Sequence, residues 1–392
     1  MGRVQVTLRV REPRRFFVPL RRCFVELISF GVPIALGMTD NDGRVRDHRG
    51  DLGMDVPFTG RATRRDPIRF TLRVLKHNSV IRLVNPLGFT EWQDMDLRYT
   101  GRTLTPIVPD NDRQLAVVNR HVEVYDRVFR HFSLFRRREF PFGRHSRSLH
   151  RMKDDESRII ELSYPYGLPV PPLSFVDPSE GPQGGMPRIN LRRDDPRLWG
   201  RGGSRRVMAS LIPAELSHGI HFGSLSQLAR DDIKGRYARW IIWDFATGGG
   251  GTHNLGKETD TTVAFVEAID HFVHRFDDFR IRWPNLQSSA INNAFIFEEI
   301  NSGRFCTLSG GDMFRGRLTP IANRTGPERE GAIYGAMFID LARRRSVGGL
   351  QGVFNAYFNS RATTFGEFRT WARRRHLGIA RALPGVQRTW GL

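Results

Sequence analysis

Apolar and polar positions along this chain follow two different periods, and the change falls near residue 106. Before it, apolar residues alternate with polar ones or gather in short β-branched runs: VQVTLRV (4–10), CFVELIS (23–29), IRFTLRVL (68–75) and VIRLV (80–84). A period of two puts every second side chain on one face, so these runs predict strands. The piece TDNDGRV (39–45) predicts a sharp turn, with Gly43 supplying the positive φ that returns the chain to a strand. Its acidic residues lack the longer ligand pattern of a calcium loop, which favours a plain turn.

After residue 106 the spacing becomes helical. LAVVNRHVEVYDRVFRHF (115–132) repeats apolar residues every three or four positions. A dense basic and aromatic stretch follows (135–153), and then a Pro- and Gly-rich segment (164–187) that reads as loop. RINL (188–191) predicts a short strand. Helical periodicity then returns in 206–229, 261–279, 330–344, 349–360 and 363–375, with a glycine-rich loop at 243–260. Pro213 belongs in a first turn or at a kink, which places a helix start close to it. The expectation is a multidomain chain: an all-β N-terminal part and a mainly α (α+β) C-terminal part.

Composition limits the choices further. Hydrophobic residues make up 39% of the 392, including 28 Phe and 7 Trp, enough for real cores. No apolar run of about 18 residues occurs, so no transmembrane helix is expected. The first residues alternate apolar and basic and do not form a secretory signal. That, with only Cys23 and Cys306, favours a cytoplasmic place over export and reads both cysteines as small buried hydrophobes.

The formal charge is +20, and four Lys among 61 basic residues leave nearly all of it to Arg. Arg pairs with phosphate and stacks on bases, so Arg136, Arg137, Arg138, Arg144, Arg147 and Arg151 are the candidates for contact with nucleic acid or another polyanion. Arg is nevertheless dispersed over the whole chain, which favours solvated faces and an exposed linker for this stretch.

The chemistry concentrates in IPAELSHGIHF (212–222). A zinc-peptidase helix carries two His four residues apart on one face and a Glu that takes a proton from the attacking water. AELSHGIHF (214–222) resembles the HELGHAIHF form of that helix, with Ala214 where the first His belongs. AFVEAIDHFVHRF (264–276) is similar to the helix bearing the third ligand in gluzincin (thermolysin- and fungalysin-like) metallopeptidases. EGAIYGAMFIDLARR (330–344) and TTFGEF (363–368) resemble their downstream helices, and RINL the edge strand beside their substrate cleft. The TDxDGxV turn resembles that of carboxypeptidase-regulatory-like, transthyretin-type β-sandwich domains, which serve as adhesive or stabilising modules.

These resemblances imply a β-sandwich over 1–105, a connecting region over 106–187 and a gluzincin-like domain over 188–392. They imply His218 and Glu267 as metal ligands, Glu215 at the general-base position, and Asp340 orienting its neighbours rather than touching metal. With Ala214 in the first ligand place, zinc binding is expected to be weak or absent, and the domain to be a pseudoenzyme that keeps a peptide- or protein-binding cleft. Two alternatives stay open. One is a rearranged, active metal-dependent hydrolase that recruits His221, His271 or His274; the other is an Arg-rich polyanion-binding protein.

Overall fold

The structure is a computed structural model that describes residues 2–12, 17–57, 62–77, 81–85, 89–110, 113–129, 149, 160–164, 175–177, 188–191, 211–246, 260–286, 288–302, 306–309, 317–320 and 331–392. β-Sheets fill the N-terminal part and helices dominate the C-terminal part. The chain divides into two compact units. The first takes in 1–126, 137–176 and 180–203, and the second 127–136, 177–179 and 204–392. Much of the region expected to connect two domains therefore belongs to the first unit, as do residues 188–203, which were expected to open the second domain.

The strands of the first unit are β1 (Gly2–Val4), β2 (Arg9–Arg11), β3 (Phe17–Pro19), β4 (Phe24–Ser29), β5 (Val32–Thr39), β6 (Val45–Arg46), β7 (Met54–Val56), β8 (Ile68–Leu75), β9 (Ile81–Val84), β10 (Trp92–Tyr99) and β11 (Ile107–Val108). Helix α1 (Gln114–Val128) follows, then β12 (Ile160–Ser163), β13 (Phe175–Asp177) and β14 (Arg188–Asn190). The largest sheet has the order β10-β8-β4-β5-β6. Its β8 keeps the predicted alternation: Phe70, Leu72 and Val74 are buried, with Arg69, Thr71 and Arg73 between them less so. Edge strand β10 is held in register by polar pairs. Arg73 donates to both Asp94 oxygens at 2.8 and 2.9 Å, and Thr71 donates to Asp96 at 2.9 Å.

The turn at 39–45 is closed from within. Asp40 Oδ1 accepts from the Asp42 and Arg44 amides at 2.9 Å, and its Oδ2 pairs with Arg46 at 2.8 Å. Gly43 has φ +76°, and a Cβ there would stand 2.3 Å from the Leu8 carbonyl oxygen.

Three expectations fail in this unit. The run 4–10 is not one strand: isolated bridges at Val6 and Thr7 separate β1 from β2, so the run divides its pairing among β7, β11 and β3. The 164–187 segment is not all loop, because its aromatic and β-branched piece at 175–177 forms β13. RINL does not sit at an edge. β14 lies between β13 and β12 in a sheet ordered β13-β14-β12-β9, where β9, β12 and β14 run parallel. Glu161 on β12 locks that register, with Arg82 at 2.7 Å on one side and Arg188 at 3.1 Å on the other.

The second unit contains α2 (Leu211–Gly223), α3 (Gln227–Ala246), α4 (Thr261–Arg282), α5 (Ser288–Asn301), the hairpin β15 (Cys306–Ser309) and β16 (Arg317–Pro320), α6 (Gly331–Arg343), α7 (Gly349–Ser360), α8 (Phe365–Arg375) and α9 (Leu377–Trp390). Pro213 is the third residue of α2, where a missing amide proton leaves no gap in the helix ladder. Asp260 caps α4 by accepting from the Thr262 amide at 2.8 Å, and Thr364 caps α8 by accepting from the Glu367 amide. α4 packs against both α2 and α6. Its Phe265, Phe272, Phe276 and Phe279 form one stripe, and Phe272 meets Phe295, Phe338 and Phe354 at ring distances of 5.5, 6.1 and 5.4 Å. Cys23 and Cys306 are free and buried, and burial pushes each thiol up to about 12. Among the described residues, no helix is long and apolar enough to cross a membrane.

Candidate metal centre

The aromatic stripe fixes which way α4 faces. Glu267 and Asp270 stand about 120° or more around the helix from Phe265 and Phe272 at 100° per residue, on the side turned to α2. His218, in the middle of α2, meets them. Its Nε2 is 3.4 Å from Glu267 Oε1 and 3.8 Å from Asp270 Oδ2. All three residues are buried, and their ligand atoms lie within 4.8 Å of one another.

The two carboxylates are themselves held. Tyr237 on α3 donates to Glu267 Oε1 at 2.6 Å. Ser217, beside His218, donates to Asp270 Oδ1 at 2.7 Å, while its oxygen also lies 3.1 Å from the Ala214 carbonyl. The His218 ring stacks on Phe222 one turn along, with centroids 5.3 Å apart and planes within 10°. Tyr237 meets the same ring edge-on at 6.5 Å.

Electrostatics make this a place that calls for positive charge. Burial alone would lower the His218 pKa, but the charges of Asp270 and Glu267, the Glu267 hydrogen bond and the charge of Glu215 outweigh it and raise it to about 10. The Tyr237 phenol is pushed well above its usual range by burial and by Glu267, so it stays a proton donor.

The donor set fits a divalent ion. Donors about 2.1 Å from a tetrahedral centre lie roughly 3.4 Å apart, close to the spacing of His218 from the two carboxylates. One neutral imidazole and two carboxylates would also balance two positive charges. Outer hydrogen bonds from Tyr237 and Ser217 orient the carboxylates as metal-ligating carboxylates usually are. His218 departs from the usual pattern, since its buried Nδ1 has no hydrogen-bond partner among the described residues.

Not every candidate joins this cluster. His221 points the other way: its Nε2 donates to the Ala362 carbonyl at 2.9 Å and its Nδ1 accepts from the Tyr357 hydroxyl at 3.1 Å. Burial lowers it to about 3, so it is a neutral hydrogen-bonded core residue with both nitrogens in use. His274 lies 3.4 Å from Asp278 on its own helix. The side chain of His271 and all of Arg136, Arg137, Arg138, Arg144, Arg147 and Arg151 lie outside the described residues. Glu215 is buried on α2 and contributes to the field at His218. Asp340 accepts from Trp390 Nε1 on α9 at 3.3 Å and from Arg344, just past the end of α6, at 3.4 Å. Ala214 is half-buried one turn before His218.

Asp270 was not among the candidate ligands drawn from the sequence. It follows Glu267 by three residues, the spacing that puts two side chains on neighbouring parts of one helix face. That signal was present in AFVEAID. Comparison with protein-family models, with curated proteins and with solved structures gives no match.

Proposed function

We propose that the helical unit is a metallopeptidase-like domain of gluzincin descent, with a divalent metal site formed by His218, Glu267 and Asp270 and with cleaving power impaired by Ala214. The observation that carries this reading is the meeting of His218 Nε2 with Glu267 Oε1 at 3.4 Å and Asp270 Oδ2 at 3.8 Å. His218 and Glu267 are the two ligands that the motif resemblance implies. Asp270 supplies a third donor in a site that lacks the His at 214.

Zinc is the ion implied by the resemblance, and one imidazole with two carboxylates also suits manganese or iron. When bound, such an ion supplies Lewis acidity toward a carbonyl group and toward water. Glu215 stands at the base position, Tyr237 and Ser217 hold the ligating carboxylates, and Phe222 supports the imidazole. A second carboxylate in place of an imidazole leaves the centre one charge less positive, which weakens its polarising power. Peptide binding therefore outlasts efficient hydrolysis in this reading. The N-terminal unit is, on the same reading, a transthyretin-type sandwich that supports or presents the helical unit.

The test is metal content and peptide cleavage, measured on the parent and on Ala214→His after exposure to zinc, manganese and iron. The expected result is one ion per chain in the parent, with slow cleavage or none, and a gain in both affinity and cleavage in the variant. If neither protein retains an ion and the substitution changes nothing, the reading is wrong.

A further inference from the structure

Exposed apolar surface and unneutralised charge coincide at one end of the five-stranded sheet in the N-terminal unit. β4 and β5 are joined there by a two-residue turn, Phe30-Gly31, between the paired residues Ser29 and Val32. Both turn residues have positive φ, +49° at Phe30 and +78° at Gly31. That conformation suits a two-residue hairpin, and Asn, Asp or Gly normally fills its first place. A bulky side chain is strained there, and this one gains no burial in return. Phe30 is fully exposed, Val32 is 61% exposed, and Pro33 beside them is exposed as well. Strain kept for a side chain left in solvent points to a use of that side chain outside its own fold.

Cations gather at the same end. Ile28 on β4 pairs with Thr71 on β8, so two residues further along the tip comes level with Arg69. Arg69 in turn stands opposite Arg98 across the β8–β10 ladder. Both are exposed, and like charges directly opposite destabilise a strand pair unless an anion lies over them. The loop before β8 carries Arg64 and Arg65, and the turn after β10 carries Arg102, all exposed. These two connections lie side by side, since a Cβ on Gly101 would stand 2.9 Å from the Ala62 carbonyl oxygen. None of the five arginines has an ion pair among the described residues. The acidic residues of the same stretches (62–71 and 96–102) are Asp66 and Asp96, and the Asp96 carboxylate accepts from Thr71. Five arginines against two aspartates leave three positive charges beside an apolar tip.

We propose that this end of the sheet docks on a membrane surface containing anionic phospholipid, with Phe30 and Val32 entering the interfacial layer and the arginines meeting the headgroups. Stable peripheral attachment takes two signals, apolar burial and a basic cluster, and here they adjoin. Guanidinium groups suit phosphate oxygens, and their aliphatic stems let the charged heads stay in water while the tip goes deeper. A nucleic-acid strand calls for successive rings on which bases stack, whereas this tip offers one ring with aliphatic neighbours. The site shares no residue with the metal centre and does not depend on the metallopeptidase reading.

The experiment is co-sedimentation of the full chain with sucrose-loaded vesicles, made of phosphatidylcholine alone or of phosphatidylcholine and phosphatidylserine at about two to one. Binding to the mixed vesicles and not to the neutral ones is expected. Arg69→Gln combined with Arg98→Gln should weaken it about fivefold for each charge removed. Phe30→Asn should weaken it at least about tenfold, because the burial of a large apolar side chain is lost. Asn is at home at positive φ, so that variant should melt no lower than the parent, which separates lost docking from lost folding. Arg373→Gln combined with Arg374→Gln removes the same charge from exposed positions on α8 and should change binding less than about twofold. Equal losses in the two double variants would mean diffuse attraction by net charge and would overturn the assignment. So would absence of vesicle binding, equal binding to neutral vesicles, or indifference to Phe30→Asn. Weakened binding of a labelled single-stranded oligonucleotide by these variants, with vesicle binding unchanged, would assign the tip to nucleic acid instead.

Discussion

Tyr237 and His218 approach the same atom from two helices: the phenol reaches Glu267 Oε1 at 2.6 Å and the imidazole Nε2 stands 3.4 Å from it. One oxygen thus has its position set by a neutral donor while its charge is directed at the imidazole. Removing the donor leaves the carboxylate in place but free to turn. Tyr237→Phe should weaken metal affinity about 10–100-fold, the usual cost of losing an outer hydrogen bond. Competition with a chelating dye would measure it, and an affinity equal to the parent's would show that Tyr237 does not position the ligand.

Binding to the native state alone raises stability in proportion to the logarithm of ligand concentration. Saturating metal should therefore raise the melting temperature of the parent, and EDTA should reverse the gain. Asp270→Asn should abolish most of that shift and also lower the metal-free melting temperature, because it keeps the bond from Ser217 but removes a charge that holds the buried His218 imidazolium. An undiminished metal shift in Asp270→Asn would remove this residue from the site.

Two of these elements were legible in the sequence and one was not. His218 and Glu267 stood out because each lies in a run with helical spacing and a recognisable neighbour pattern. Asp270 did not, because three-residue spacing is common on ordinary helices and becomes a constellation only when α2 packs opposite it. α3 was obscured by charges within QLARDDIKGRYARWIIWDFA, which hide its periodicity. α9 was obscured by Pro384, which reads as a breaker but lies inside the helix. The strands β12 and β13 are too short for alternation to register, and long-range pairing rather than local pattern defines them.

His121 on α1 is fully buried, and its Nδ1 lies 2.8 Å from the Val117 carbonyl. Burial lowers its pKa to about 4. The unfolded chain, with a value of about 6.5, then binds more protons than the folded one between those two limits. The stabilising contribution is complete above about pH 6.5 and is lost as pH falls toward 4. Urea unfolding at pH 7, 5.5 and 4.5 should show the gap between the parent and His121→Gln shrinking as the solution becomes more acidic. A gap that stays constant would mean that His121 is not held neutral.

Gly43→Ala should cost about 2 kcal/mol or more. An L side chain is strained at φ +76° by itself, and the new methyl would also press on the Leu8 carbonyl. Phe272→Ala, in the ring cluster on α4, should cost about 3–5 kcal/mol through lost contacts and the cavity left behind. Equilibrium denaturation of the two variants measures both. A Gly43→Ala protein as stable as the parent would show that the turn relaxes.

The phenylalanine stripe of α4 has a consequence beyond stability. Hydrocarbon rings on one side fix the rotation of the helix, while the polar residues on the other side have no part in that task. Donor atoms facing α2 are therefore free to change over evolutionary time without the backbone turning to follow them. An exchange of side chains on that face thus alters the charge and hydrogen bonding opposite α2 without altering the rotation of α4.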